Sequence, residues 1–233
     1  MTSLRALCFD LDDTLWEVWP VIRKAERAMY DFLGERYPRA VEAMTIEAMR
    51  DARARVSLDF PHMAHDFTFL RMQALRELAQ ACGYAQAMAD EAFEAFIAAR
   101  NQVELYADVR PALEVLRGRY RLFTASNGNA DLGRIGLSHL FERSVSARQV
   151  GALKPAPAVF LKVLEGTGLA AGEVMYVGDD PHLDVEGARA VGMSTAWMNR
   201  AGAAWPEGIE PATHSVTSLA DLVAVLGAGA PAR

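Results

Sequence analysis

The chain has 233 residues, 52% of them hydrophobic, and 24 basic against 30 acidic side chains leave a net charge of −6. That balance, without a basic block, argues against nucleic acid or an anionic membrane as the main partner, and no apolar run reaches the ~20 residues needed to span a bilayer. Two cysteines, Cys8 and Cys82, without a CxxC fit a reducing compartment. The first strand starts almost at the N-terminus, so a cytoplasmic protein is expected, either one large domain or a core with an inserted unit.

Leu4 to Cys8 reads as a buried strand that runs into Phe9-Asp10-Leu11-Asp12-Asp13-Thr14-Leu15. Residues two apart on an extended backbone point the same way. Asp10 and Asp12 therefore project together where the strand ends. Two carboxylates that close repel unless a proton or cation sits with them. A hard cation such as Mg²⁺ takes oxygen ligands and keeps positions for phosphate oxygens. Aspartates capping a turn are the plainer alternative. Three acids in four positions behind a strand, followed by Thr14, favour a site.

From Trp16 to about Gln102 the periodicity is helical. Val18, Val21, Ile22, Ala25, Met29, Phe32 and Leu33 recur at three and four until Tyr37-Pro38. Further helices are predicted over about 40–55, 67–82 and 88–100, separated by Asp59-Phe60-Pro61-His62 and by Gly83. Four such helices make a small antiparallel bundle. His62, His65 and Asp66 have a spacing that can bind a metal, but a loop-to-helix junction explains them better.

After Asp108 the pattern changes. A helix opens at Val109 with Pro111 in its first turn. Strands are predicted at 120–125, 141–147, 174–177 and 194–198, the last clear one. Helices are predicted around Leu132 and Ile135, then over 156–165, 183–191 and 218–226, with a Gly/Ala/Pro-rich tail over 227–233 expected to fray. Alternating strands and helices predict an α/β fold with a doubly wound parallel sheet. Residues 1–15 and 106–233 would form this core and 16–105 an inserted helical bundle.

The strand ends carry Asp10, Asp12 and Thr14, then Ser126-Asn127-Gly128, then Asp179, Asp180 and Asp184, with Lys154 at a helix start. Singly these are weak. Ser126-Asn127-Gly128 alone reads as a turn, Lys154 alone as a surface lysine, and Asp184 equally as a helix cap. Converging at one edge of a parallel sheet, they suit phosphoryl transfer, where catalysis is mostly positioning and charge neutralisation.

On these motifs the chain resembles the haloacid dehalogenase superfamily in its phosphatase branch. Asp10-Leu11-Asp12-Asp13-Thr14, Ser126-Asn127-Gly128, Lys154-Pro155 and Gly178-Asp179-Asp180-Pro181-His182-Leu183-Asp184 match its four signatures in order. The resemblance implies a Rossmann-like core with a helical cap formed by the insertion. It implies that Asp10 attacks phosphorus to form an aspartyl-phosphate. Asp12 would protonate the leaving group and then activate water. Asp10, the Asp12 carbonyl and Asp179 would bind Mg²⁺, with Asp180 or Asp184 beside them. Ser126 and the Asn127 and Gly128 amides would hold phosphate oxygens, and Lys154 would neutralise charge.

Within the superfamily, the similarity extends to bacterial phosphatases acting on flavin mononucleotide and on the phosphoribitylamino-uracil intermediate of riboflavin synthesis. It is carried by Ser126-Asn127-Gly128-Asn129-Ala130, by His65-Asp66-Phe67-Thr68 leading to Arg71, and by Val177-Gly178-Asp179-Asp180 through Asp184-Val185 to Trp197. Trp16 and Trp19 at the entrance of the insertion, and Arg71 on its third helix, are candidate contacts beyond the phosphate, with cap core the alternative for the tryptophans and a surface role equally open for Arg71. The expectation is a Mg²⁺-dependent phosphatase of a small-molecule phosphomonoester. A 2-haloacid dehalogenase would need Asp10 but no metal, and the dehalogenases lack the second acid of the first motif, here Asp12. A phospho-receiver switch would carry its acceptor on a middle strand of a shorter chain without the insertion. A phosphomutase would keep the same core.

Overall fold

The computed structural model describes residues 3–228. The chain divides into two compact units: Met1–Glu17, Glu104–Gly128 and Leu132–Arg233 form one, Val18–Val103 and Asn129–Asp131 the other.

The first unit is built on a parallel sheet. Its elements are β1 (Ala6–Phe9) and, after the helices α1 to α5 of the second unit described below, α6 (Val109–Arg117), β2 (Arg121–Ser126), α7 (Leu132–Ile135), β3 (Arg143–Ser146), α8 (Ala147–Val150), α9 (Pro157–Leu164), β4 (Val174–Gly178), α10 (Gly187–Ala190), β5 (Ser194–Met198), β6 (His214–Val216) and α11 (Leu219–Ala228). Every strand pairing is parallel, in the order β3-β2-β1-β4-β5-β6. β1 is central: Phe9 pairs with Thr124 of β2 on one side and Val177 of β4 on the other. The order reverses between β1 and β4, and the crevice outside the carboxyl ends of two such strands is where open α/β sheets hold ligands.

Side-chain alternation sets what reaches that crevice. Ala6 and Cys8 of β1 pack with Val159, Phe160 and Val163 of α9 and with Tyr176. Asp10 continues their parity, so the strand aims it toward the segment that begins α9. Gly187 lets that layer close up, because a Cβ there would lie 2.7 Å from the Phe160 ring.

The second unit is helical: α1 (Val18–Arg36), α2 (Pro38–Ala43), α3 (Ile46–Asp59), α4 (Phe67–Ala81) and α5 (Ala87–Arg100). Ala25, Met29 and Leu33 of α1 share a core with Leu75, Leu78 and Phe96. The helix predicted over 40–55 is instead two. Met44 is extended, and the Thr45 side chain accepts from the Ala48 amide to start α3; a β-hydroxyl at that place favours a cap over helix interior. The bundle therefore has five helices, not four. Asp66 accepts from the Phe69 amide and caps α4, which accounts for it without a metal.

Four other expectations are corrected. The strand predicted over 141–147 is shortened to Arg143–Ser146 because Ser146 and Gln149 form a capping box that opens α8. A further strand, β6, follows β5; at three residues it is too short to show alternation. The helix predicted from Leu183 begins two residues earlier as a wide turn over Pro181–Glu186. The fraying expected over 227–233 is not seen at 227 and 228, where α11 continues to Ala228; residues 229–233 lie outside the described residues. Among the described residues no helix is long and apolar enough to cross a membrane.

Candidate active site

Lys154 stands at the centre of the site. Its ammonium donates to Asp10 Oδ1 at 2.6 Å, Asp184 Oδ1 at 2.7 Å and the Tyr176 hydroxyl oxygen at 3.1 Å, so all three N–H groups have acceptors. It is 4% exposed, which rules out the surface-lysine alternative. Burial alone would lower its pKa, but Asp10 and Asp184 outweigh that and hold it above the usual lysine range. Asn127 fixes the backbone beneath it: Oδ1 accepts from the Lys154 amide at 2.7 Å and Nδ2 donates to the Lys154 carbonyl at 3.3 Å.

Carboxylates outnumber this cation. Oxygens of Asp10, Asp179 and Asp184 all lie within 4.8 Å of one another. Burial pushes the Asp10 carboxyl well up; Lys154 opposes this, while Asp184 and Asp179 add to it. The Asp179 carboxyl is pushed up to about 7 by burial first, then by Asp184 and Asp13. A buried carboxylate cluster with one ammonium is short of positive charge, and an all-oxygen donor set matches a hard divalent cation. The residues present thus fit such an ion.

The remaining groups are placed as follows. The Asp10 amide donates to the Val177 carbonyl, tying the end of β1 to β4. Asp12 accepts from the Trp16 indole N–H at 2.8 Å. Between them and Thr14, Asp13 adopts a left-handed backbone with φ 58°, a conformation Asp tolerates better than most residues. The Thr14 hydroxyl donates to Asp179 Oδ1 at 3.2 Å. Asp180 caps the wide turn, accepting from the His182 and Leu183 amides at 2.8 Å. Asp184 does not cap; its second oxygen accepts from the Asp180 amide at 3.1 Å. Gly178 makes room for it, since a Cβ there would lie 2.3 Å from Asp184 Oδ2. His182 is exposed and pairs with Glu186.

Several candidates differ from their sequence reading. Gly128 directs its amide to Ser126 Oγ at 2.9 Å rather than offering it outward. Trp16 is fully buried, so its ring presents no face for stacking, and its indole holds Asp12 instead. Trp19 is exposed. Arg71 is buried within the helical unit, 3.8 Å from Glu26 and 3.7 Å over the centre of the Phe96 ring, which is a packing role. Sequence reasoning missed Tyr176, the Asn127 side chain and the Trp16 indole. For Tyr176 a signal existed: a hydroxyl in an otherwise apolar buried strand needs a partner. It donates to the Ala125 carbonyl at 2.7 Å.

A six-stranded parallel sheet with a cluster of acids at its switch point places the chain in the doubly wound α/β class. The haloacid dehalogenase-like hydrolase family model matches residues 4–192, and the chain belongs to that family. It is 31% identical over 199 residues to the 5-amino-6-(5-phospho-D-ribitylamino)uracil phosphatase YigB of Escherichia coli K12, covering 84% of this chain and 83% of that one. It is 30% identical over 226 residues to the phosphoserine phosphatase of Thermus thermophilus, with 84% and 89% covered. The 2-haloacid dehalogenase structure from Pseudomonas syringae pv. Tomato DC3000 superposes with a TM-score of 0.91 at 35% identity, covering 97% and 100%. The family includes phosphatases and dehalogenases, and the chain is a hydrolase of this kind acting on a small molecule.

Proposed function

We propose that the protein is a Mg²⁺-dependent phosphomonoester phosphatase working through an aspartyl-phosphate on Asp10. The observation that carries this reading is the charge imbalance of Asp10, Asp179 and Asp184 against Lys154 at the switch point. Displacing halide from carbon needs one carboxylate nucleophile and no metal. Surplus carboxylates there would repel a haloacid, itself an anion, whereas a metal-bound phosphate makes use of them.

Asp10 is steered by Lys154 through one oxygen and attacks phosphorus with the other, breaking the ester P–O bond. Asp12, steadied by Trp16, gives its proton to the departing alkoxide. It then takes a proton from the water that attacks phosphorus, breaking the P–O bond to Asp10 and releasing phosphate. Mg²⁺ bound by Asp10, Asp179 and the Asp12 carbonyl would supply neutralisation of the phosphate charge. Asp184, already engaged by Lys154 and the Asp180 amide, holds Lys154, and Asp180 holds the turn. Ser126 and the Asn127 amide take phosphate oxygens. The helical unit, residues 16–105 in our reading, acts as the cap that selects the substrate, and the protein works in the cytoplasm.

For the substrate we favour the phosphoribitylamino-uracil or flavin mononucleotide class. Support comes from the similarity to YigB, which extends over 84% of the chain. With Trp16 buried and Arg71 paired, neither is a substrate contact in this reading.

The test is phosphate release from p-nitrophenyl phosphate and a panel of phosphomonoesters with Mg²⁺, set against halide release from 2-chloropropionate. Turnover lost in EDTA and restored by Mg²⁺ is expected. Halide release that survives exhaustive chelation overturns the reading. Sugar phosphates outperforming every ring-bearing ester overturn the substrate class alone.

A further inference from the structure

Two residues past β5, Arg200 makes three directed contacts. Nε donates to the Thr14 carbonyl at 3.0 Å, and the two terminal nitrogens each donate to a different oxygen of Asp108 at 3.1 Å. Its guanidinium carbon lies 3.9 Å from the centre of the Tyr106 ring. Asp108 is itself anchored, accepting from the Leu219 amide at the start of α11 at 2.6 Å. The segment Leu105–Tyr106 is joined to the loop after β1, with Trp16 bridged to Leu105 and the Tyr106 amide bonded to the Leu15 carbonyl.

These contacts converge on Thr14. Its side chain is fully buried, and its hydroxyl donates to Asp179 Oδ1. Its carbonyl is where Arg200 takes hold. A hydroxyl aims well only if its backbone is fixed, and here the fixing group is a planar fork already docked on a carboxylate. Lysine cannot reproduce two parallel bonds to Asp108 and a third to Thr14.

We propose that Arg200, docked on Asp108, is a positioning residue for the metal-binding carboxylate Asp179, acting through Thr14. The inference rests on the Mg²⁺ reading given above. It assigns a function in metal binding to two residues, Asp108 and Arg200, outside the four signature motifs. A partner that orients a metal ligand from one bond away changes metal affinity or activity by about 10- to 100-fold when lost.

The experiment is direct Mg²⁺ titration by calorimetry of the full-length protein, without substrate, together with Tm and steady-state kinetics. Arg200→Lys, Asp108→Asn and Thr14→Val are each expected to weaken Mg²⁺ binding by about tenfold. KM for p-nitrophenyl phosphate at saturating Mg²⁺ should stay within about twofold. Arg200→Lys combined with Thr14→Val should weaken binding no further than either alone, because both act on one path. Asp108→Asn keeps its shape and a hydrogen-bonding oxygen, so it serves if Arg200→Lys does not fold. Variants that lose Tm but bind Mg²⁺ like wild type show a purely structural strut and overturn the proposal, as does additive weakening in the double variant. Wild-type protein that binds no Mg²⁺ overturns the metal reading and this inference with it, whereas wild-type binding unchanged in all three variants overturns this inference alone.

Discussion

Each unit buries a charge of one sign among several of the other. In the α/β unit the ammonium of Lys154 meets Asp10 and Asp184, with Asp179 in the same cluster. In the helical unit the carboxylate of Glu26 meets Arg50 at 2.6 Å and Arg71 at 3.8 Å. The surplus is handled differently. Arg71 lies over the Phe96 ring, and Arg50 keeps 39% of its side chain exposed, so an aromatic face and water support the extra positive charge. Burial first, then Arg53, lowers Arg71 to about 9. Around Lys154 the surplus carboxylates are held by the Thr14 hydroxyl and the Asp180 amide, and burial still raises the pKa values of Asp10 and Asp179. One cluster is a strut complete within its own helices. The other is a set of acids that could hold a cation.

The largest expected effect breaks this comparison from the catalytic side. Asp10→Asn should lower kcat by more than about 10³-fold, since an amide does not attack phosphorus. Lys154 retains Asp184, and one desolvated carboxylate is gone, so Tm in EDTA should not fall. A variant that turns over normally, or one that is inactive only because it has unfolded, would contradict the assignment.

The matching change in the helical unit should do the reverse. Glu26→Gln removes the carboxylate between two buried or half-buried guanidiniums and should destabilise by about 3 kcal/mol. Mg²⁺ affinity should be unaltered. Denaturant melts and Mg²⁺ titration read the two quantities separately. Equal losses in both would mean the two clusters are one system.

A smaller effect concerns pH. Burial first, then Asp184 and Asp13, pushes the Asp179 carboxyl up to about 7 in the metal-free fold, against about 4 in an unfolded chain. Between those values the folded state holds a proton that the unfolded state has released, so this group stabilises at acid pH and that stability is lost as pH rises through about 7. Mg²⁺ competes with the same proton. The Tm gain on adding Mg²⁺ should therefore grow from pH 5.5 up to about 7 and level off above it. A gain that is flat in pH would mean Asp179 is ionised throughout and is not short of a cation.

The smallest effect sharpens the role of Trp16. Trp16→Phe keeps the apolar bulk and removes the N–H held by Asp12. Turnover should fall by about tenfold on esters with poor leaving groups, in line with one lost bond to a charged acceptor. It should fall less on p-nitrophenyl phosphate, whose leaving group needs little protonation. An equal fall on both would place Trp16 in packing alone.

The positions of the four motifs, the alternation of strands and helices, and the helical block between the first two strands were all legible in the chain, because side-chain periodicity and turn chemistry are local. Asp10 and Asp12 at a strand end, and Lys154 ahead of a helix, needed no partner to be noticed. Local pattern could not say which strands lie side by side, and that decides the site. β1 and β4 are neighbours at the reversal of strand order, so Asp10 and Asp179 share one crevice although they are far apart in the chain. Asp184 read equally as a helix cap and as a partner of Lys154; the wide turn at Pro181 is capped by Asp180 and leaves Asp184 on Lys154. Trp16 and Arg71 read as candidate substrate contacts because burial is a property of packing, which one-dimensional pattern does not carry. Arg200 and Asp108 belong to no motif. Only folding brings a guanidinium at the end of β5, a carboxylate before α6 and the carbonyl of Thr14 within hydrogen-bond reach of one another.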